Sequence, residues 1–129
     1  MKSVTGLSDQ YTNSQFVVSA RDSQGCHVQH GVFQAENNET FHTSVKSSVP
    51  IDFLILYQDS YNTLQYTLIC SSYYTLWELQ SANGFLYKRD VTMYDTDWQA
   101  GRTGTYYFVF LNRGLIDASV TFNAWTTKS

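Results

Sequence analysis

The segments GTYYFVFLN at residues 104–112 and IDASVTFNAW at residues 116–125 decide the fold class. In the first segment both alternating sets of side chains are mainly apolar or aromatic, which predicts a central strand buried on both faces. In the second, one set is apolar and the other carries Asp, Ser, Thr and Asn, which predicts a strand with one face in water. The short connection that begins with Asn-Arg-Gly at residues 112–114 predicts an antiparallel hairpin in a layered sheet protein.

Further strand-like segments lie upstream, separated by turn signals and almost without helical periodicity. They fall at residues 15–20, 26–35, 39–46, 51–57, 66–70, 73–79 and 85–93, and residues 94–98 add a last short strand or a turn. The alternation at residues 39–46 is typical of an edge or half-exposed strand, and residues 47–50 should end it. About eight strands of this kind predict an all-β protein, an antiparallel two-sheet β-sandwich of jelly-roll type.

Length and composition agree with one domain rich in β-structure. The chain has 129 residues, of which 16% are aromatic, and it contains a single proline. The first residues are polar and lack apolar periodicity. We therefore expect a flexible N-terminal arm at residues 1–14 and a single domain at residues 15–127.

Charge and hydropathy exclude several classes of partner. Only 15% of the residues are charged and the net charge is −3, so there is no basic patch to follow a phosphate backbone, and nucleic acid is not expected. No apolar run approaches the roughly 20 residues that span a bilayer, so direct membrane insertion is not expected. No targeting signal is visible in the chain.

Residues 74–112, YTLWELQSANGFLYKRDVTMYDTDWQAGRTGTYYFVFLN, carry a strand pair, then a tyrosine and an aspartate, then Gly-Thr-Tyr and an aromatic alternation closed by Asn112. This order resembles the second half of the GOLD (Golgi dynamics) domain. The resemblance covers residues 73–125, and residues 31–57 share only a similar succession of strands. GOLD domains are β-sandwich modules that mediate protein contacts in the secretory pathway and in lipid-associated adaptors. The resemblance implies protein binding without catalysis, in the secretory pathway or outside the cell.

The chain contains two cysteines, Cys26 and Cys70. They can pair if the domain matures in an oxidising compartment, and otherwise they are two buried thiols. The sequence leaves both alternatives open.

Metal and cofactor sites are not expected. The CHVQH segment contains His27 and His30, but on a strand these two side chains point to opposite faces and cannot easily share one ion. Asp95 and Asp97, with Asp90 upstream, offer the oxygen ligands that calcium prefers. A calcium loop usually has more carboxylates and more glycines, so a solvated turn is the preferred interpretation and calcium the alternative.

The sequence contains no catalytic motif. There is no Gly-x-Ser-x-Gly elbow and no cysteine in a setting typical of a nucleophile. Glu78, Asp52 and Asp97 are available as carboxylates, but nothing in their spacing pairs them as a glycosidase requires. We therefore expect a protein that is not an enzyme.

Exposed aromatic residues are the remaining binding candidates. Trp98 and Tyr94 lie in the predicted short strand or turn, and Trp125 belongs to the polar set of its strand, so these three are the predicted binding residues. The main hypothesis is a protein-interaction module. A carbohydrate-binding module and an extracellular structural or filament subunit, whose arm adds a strand to a neighbour, are the alternatives. The oligomeric state stays open.

Overall fold

A computed structural model describes residues 11–23, 25–59 and 86–128, and it contains six strands in these ranges. They are β1 (Tyr11–Val18), β2 (His27–Ala35), β3 (Thr40–Tyr57), β4 (Leu86–Gln99), β5 (Gly104–Asn112) and β6 (Ala118–Thr127). All pairings are antiparallel, in the order β1-β6-β3-β5-β2, with β4 also paired to β3. The all-β antiparallel class predicted from the sequence is confirmed. Within the described ranges, no helix has the length and apolar character needed to cross a membrane.

Strand β3 organises the sheet because its two halves have different neighbours. Residues 40–47 pair with β6, residues 52–57 pair with β5, and β4 follows β3 along both halves. The first half therefore lies between two strands and is not an edge, although its alternating burial does leave one face half-exposed, as predicted.

The predicted strand end at residues 47–50 is wrong, because β3 continues through them with an irregularity. The register with β4 shifts between Lys46 and Ile51 and again between Ile51 and Phe53. Pro50 has no N–H to donate to a ladder, and such residues are tolerated in strands at bulges. The turn-like sequence therefore bends one long strand between its two sets of partners.

The predicted hairpin between β5 and β6 is also wrong. β5 pairs with β2 and β3, whereas β6 pairs with β1 and β3. The two strands meet instead through their side chains, since Phe122 lies 4.9 Å from Phe110 and 5.3 Å from Phe108 between ring centroids. Alternation specifies which face of a strand is apolar but not which strand pairs with it, so the same pattern suits either connection.

The core consists of one large apolar cluster and one smaller cluster on the opposite face of β5. The large cluster is rich in aromatic rings, among them Phe41, Phe53, Phe108, Phe110 and Phe122. The smaller one contains Leu54, Leu56, Tyr87, Val109 and Leu111. Both faces of β5 are thus buried, which confirms the prediction of a central strand.

At its ends the described chain differs from the predicted segments. Residues 11–14, which we assigned to the arm, form the start of β1 and pair with β6 of the same chain. Residues 85–93 and 94–98 were predicted as separate elements, but residues 86–99 run as the single strand β4. The strands predicted at residues 66–70 and 73–79 lie outside the described residues, and the domain limits stay a prediction.

Candidate functional site

The structure separates the three predicted binding aromatics. Tyr94 and Trp98 are half-buried on the side of β4 that faces the large core cluster, where Trp98 stacks on Phe41 at 5.9 Å. Trp125 lies on the opposite side of the sheet and is 40% exposed. Tyr94 and Trp98 therefore do not share a surface with Trp125.

We call the surface formed by Trp125, His42, Asp97 and Thr127 the Trp125 face. His42 lies on β3, directly opposite Trp125 on β6 and Asp97 on β4. Its ring stacks on Trp125, with centroids 5.2 Å apart and planes 20° from parallel. The imidazole Nδ1 lies 2.7 Å from Asp97 Oδ1, and Nε2 lies 2.8 Å from Thr127 Oγ1. A carboxylate only accepts, so Nδ1–H donates to Asp97, and in the neutral ring Nε2 accepts the Thr127 hydroxyl.

This carboxylate, imidazole and hydroxyl chain has the order of groups found in hydrolase triads. A triad also needs a concave site that holds the substrate and stabilises an oxyanion. Trp125 is 40% exposed, and neither of the two clefts described below is lined by the residues of the Trp125 face. The four side chains present an aromatic ring for stacking and polar groups for hydrogen bonding.

A cleft of about 300 Å³ opens at the other end of the sheet, and we call it the Asp52 cleft. It lies between residues 49–52 of β3, Asp90 of β4 and residues 113–116 after β5. The cleft is positioned by the bulge in β3 and by the connection between β5 and β6.

A buried charged network forms one side of this cleft. Asp52 is 1% exposed and accepts two hydrogen bonds from Arg113, from Nε at 2.8 Å and from Nη2 at 3.1 Å. The Arg113 Nη2 also reaches Asp90 Oδ1 at 3.0 Å. The Tyr87 hydroxyl and the Asp90 backbone N–H donate to Asp52 at 3.3 and 3.2 Å. The carboxylate of Asp52 is thus compensated by an opposite charge and by two further donors.

The pKa values of two groups reflect this network. Burial raises the pKa of the Tyr87 phenol above its ordinary value, and the neighbouring Asp52 carboxylate raises it further. The hydrogen bonds to Asp52 raise the pKa of Arg113, against the smaller opposing effect of burial. At neutral pH the tyrosine is therefore a donor and the arginine a fixed cation.

Asp90 adopts a backbone conformation that is uncommon for a residue with a side chain. Its φ is 55°, in the left-handed region. In this conformation the Asp90 N–H points at Asp52 while its own carboxylate meets Arg113 and stays 64% exposed. Unusual backbone held by surrounding contacts is found preferentially at functional sites.

Two large apolar side chains project beside the cleft. Leu115 is 73% exposed and Ile116 is 66% exposed. The connection that carries them is fixed by Asn112, which is fully buried. The Asn112 Nδ2 donates to the carbonyls of Val18 at 3.0 Å and Ile116 at 2.9 Å, and its Oδ1 accepts from Gly114 N at 2.9 Å.

A second cleft, of about 390 Å³, lies between β1 and β2 and reaches the aromatic core. Phe16, Phe33, Phe110 and Phe122 line it together with His30 and neighbouring polar groups. The Phe16 ring packs edge-to-face against Phe110, with ring centroids 5.0 Å apart. This cleft is an opening at the side of the core between two strands that do not pair with each other.

Cys26 is disulfide-bonded. Cys70 lies outside the described residues, so the bond between the two cysteines stays a prediction. The Nε2 atom of His27 lies 2.8 Å from Oδ2 of Asp22. In the described part of the chain, no three His, Cys, Asp or Glu side chains are grouped as metal ligands.

The sequence pattern does not predict the Asp52 cleft, and it presents Asp52 only as one carboxylate among others. A signal was present, because Asp52 stands inside the apolar run IDFLIL, where a buried charge requires a partner. The partner cannot be read from the chain. Arg113 lies 61 residues after Asp52 in the sequence. The two meet because strand pairing places Asp52 opposite Leu111, which is two residues before Arg113.

No protein family model and no curated protein sequence matches the chain. Among solved structures, the chain is similar to the pre-peptidase C-terminal domain of a collagenase from Bacillus anthracis, with a TM-score of 0.50. The two are 10% identical in sequence, and the match covers 87% of this chain and 88% of that chain. A likeness at this identity concerns the fold alone. The all-β fold described above is thus one that a domain of a bacterial collagenase shares.

Proposed function

We propose that the chain is a non-enzymatic protein-interaction module that binds its partner through Leu115, Ile116 and the Asp52 cleft. The observation that carries the proposal is the pair of adjacent side chains, more than half exposed, on a connection fixed by the buried Asn112. Large apolar residues grouped on a surface mark interaction sites more often than isolated ones do. A rigid connection also lowers the entropy lost on binding.

As the finer architecture we propose an antiparallel two-sheet β-sandwich of jelly-roll or GOLD-like type. The ring contacts between β5 and β6, which are not hydrogen-bonded neighbours, support two layers. The change of partner along β3 supports them too, because one strand then contributes to both layers. In this scheme the Leu115–Ile116 connection crosses from one layer to the other at one end of the sandwich.

We further propose that the domain works in the secretory pathway or outside the cell. The disulfide at Cys26 supports this, because disulfides form and persist in oxidising compartments. A binding module there needs neither a cofactor nor a metal.

Affinity capture with the purified chain tests the interaction proposal, using extracts of the producing organism. The double variant Leu115→Ser/Ile116→Ser removes the apolar pair, and Met93→Ser, at another exposed position, is the matched control. We expect proteins that the wild type and Met93→Ser retain and that the double variant loses. Equal retention by all three would refute binding through this surface.

A carbohydrate-binding module is a second candidate, and the Trp125 face favours it. An exposed indole stacks on His42, and the His42 imidazole is hydrogen-bonded to Asp97. This surface combines a flat ring with hydrogen-bonding groups, which suits a sugar ring. A glycan panel followed by tryptophan fluorescence tests it. Quenching that is lost in Trp125→Ala and kept in Val32→Ala, another exposed apolar position, would support the candidate. No quenching by any glycan would remove it.

A further inference from the structure

We propose that the Asp52 cleft receives a lysine or arginine side chain of the partner protein, with the carboxylate of Asp90 as its counter-ion. This inference rests on the proposed function and names the chemistry of the partner.

The charges that line the cleft favour a cation. Asp52, Asp90 and Arg113 are its charged residues, and together they carry a net charge of −1. The guanidinium of Arg113 is shared between both carboxylates, at 2.8 Å from Asp52 and 3.0 Å from Asp90. Asp52 is buried and the side chain of Arg113 is 25% exposed, whereas Asp90 is 64% exposed, so the Asp90 carboxylate is the charged group that an incoming charge meets most directly. An anion would meet like charge there, whereas a cation gains an opposite charge.

The position of Asp90 is set before any partner arrives. Its N–H is held by Asp52 Oδ1 at 3.2 Å and its carboxylate by Arg113 at 3.0 Å, in the left-handed conformation with φ 55°. Because two contacts fix the residue from both sides, a partner does not have to order it. Groups fixed in this way lose less conformational entropy on binding.

The size and rim of the cleft fit one long basic side chain. Its volume of about 300 Å³ lies at the lower end of the range for ligand pockets, which suits a single side chain. Lysine and arginine carry apolar stems that pack on apolar surface while the charged head stays near water. Leu115 and Ile116 would cover such a stem, and Asp90 would receive the head.

A membrane surface is the competing interpretation of two exposed apolar side chains at a loop. The charges argue against an anionic membrane surface, because such surfaces attract clusters of basic residues. The cleft lining carries −1 and the whole chain −3, so both would be repelled by such lipids. The same charges attract a basic segment of a protein.

The test uses the full ¹⁵N-labelled chain at pH 7 and three peptides, observed by two-dimensional NMR. The probe is acetyl-Leu-Lys-Leu-amide, and its controls carry norleucine or glutamate in place of lysine. We expect the lysine peptide to shift the amide signals of Asp90, Gly114, Leu115 and Ile116. We expect Asp90→Asn to weaken this binding about fivefold. Glu36→Gln, which removes an exposed carboxylate in the turn between β2 and β3, should leave it unchanged.

Each outcome of the titration decides the inference. Shifts confined to the lysine peptide and weakened by Asp90→Asn support it. Equal shifts with the norleucine peptide would overturn selection of a cation but leave Leu115 and Ile116 as an interaction surface, so the proposed function would survive. No shift with any peptide would overturn the cleft as a binding site. Sedimentation of the chain with phosphatidylcholine–phosphatidylserine vesicles, abolished by Leu115→Ser/Ile116→Ser, would overturn the protein partner in favour of a membrane.

Discussion

Replacing Arg113 with methionine is expected to destabilise the fold strongly, because it leaves the Asp52 carboxylate buried without its opposite charge. Asp52 is 1% exposed, and the side chain of Arg113 is 25% exposed. Methionine keeps an unbranched apolar stem of similar length, so the substitution removes mainly the guanidinium. The measured effect therefore reports the charge and its hydrogen bonds more than lost packing.

The magnitude follows from the hydrogen bonds that Asp52 accepts. The bond from Arg113 Nε at 2.8 Å and the bond from Nη2 at 3.1 Å are the shortest, and those from Asp90 N–H and the Tyr87 hydroxyl are 3.2 and 3.3 Å. Breaking a buried ion pair on one side costs about 3–5 kcal/mol. The partial exposure of Arg113 lets water reach the vacated space, so we expect about 3 kcal/mol. For a chain of this length that is a fall in Tm of roughly 10 °C.

Urea denaturation followed by circular dichroism measures the free energy of unfolding of the variants. Asp90→Asn removes only the exposed branch of the network, where the carboxylate is 64% exposed, so it should cost about 0.5 kcal/mol. The double variant Asp52→Asn/Arg113→Met removes both charges and should recover at least half of the stability lost in Arg113→Met. This order of the three variants identifies the uncompensated charge as the cause.

Two results would refute the reasoning. A loss below about 1 kcal/mol in Arg113→Met would mean that the pair contributes no more than an exposed ion pair does. A double variant no more stable than Arg113→Met would mean that the loss comes from packing and not from the buried carboxylate.

Three further predictions concern the backbone, the pH response and the disulfide. Gly104→Ala should destabilise the fold by about 1–3 kcal/mol in urea, because φ is 156° and a Cβ would collide with the phenol of Tyr57 unless that ring shifts. Gly101→Ala, where a Cβ meets open space, should change the free energy of unfolding by less than about 0.5 kcal/mol in the same measurement. Burial raises the pKa of Tyr87 above 10.0, so the tyrosine ionises first in the unfolded chain. The free energy of unfolding should therefore fall as pH rises above about 10, by up to about 1.4 kcal/mol per pH unit. Tyr87→Phe should flatten this slope in urea titrations across that range, and an unchanged slope would contradict the prediction. Reduction of the Cys26 disulfide should lower the free energy of unfolding by about 2–4 kcal/mol, measured with and without reductant, and identical curves would show that the bond constrains little.

The faces of the strands were predictable from the sequence, whereas their partners were not. Trp125 was expected among the polar residues of its strand and is exposed, and both faces of β5 are buried as its composition indicates. The hairpin between β5 and β6 failed because a period of two residues fixes orientation only. Both strands pair with β3 instead: the first half of β3 pairs with β6, and the second half pairs with β5.

Tyr94 and Trp98 are less exposed than the sequence predicts, because they belong to a long strand and not to a short strand or turn. The sequence predicts a short strand or turn at residues 94–98, in which these aromatics are exposed. In β4 the side chains of Tyr94 and Trp98 alternate with exposed Asp95 and Asp97, and the aromatic set faces the core. The alternation was visible in YDTDW, but two carboxylates and the nearby glycines gave the segment the character of a loop.

The geometry of the Asp52 cleft depends on two adjacent residues, Asn112 and Arg113, whose side chains bind different parts of the fold. Asn112 turns inward and binds the carbonyls of Val18 and Ile116, so the connection between β5 and β6 is tied to the core. Arg113, the next residue, reaches Asp52 and thereby joins the same connection to β3. The exposed Leu115 and Ile116 are therefore presented by a segment fixed at two points. A surface held in this way can select a partner by charge and shape, because its own rearrangement does not offset the free energy of the contact.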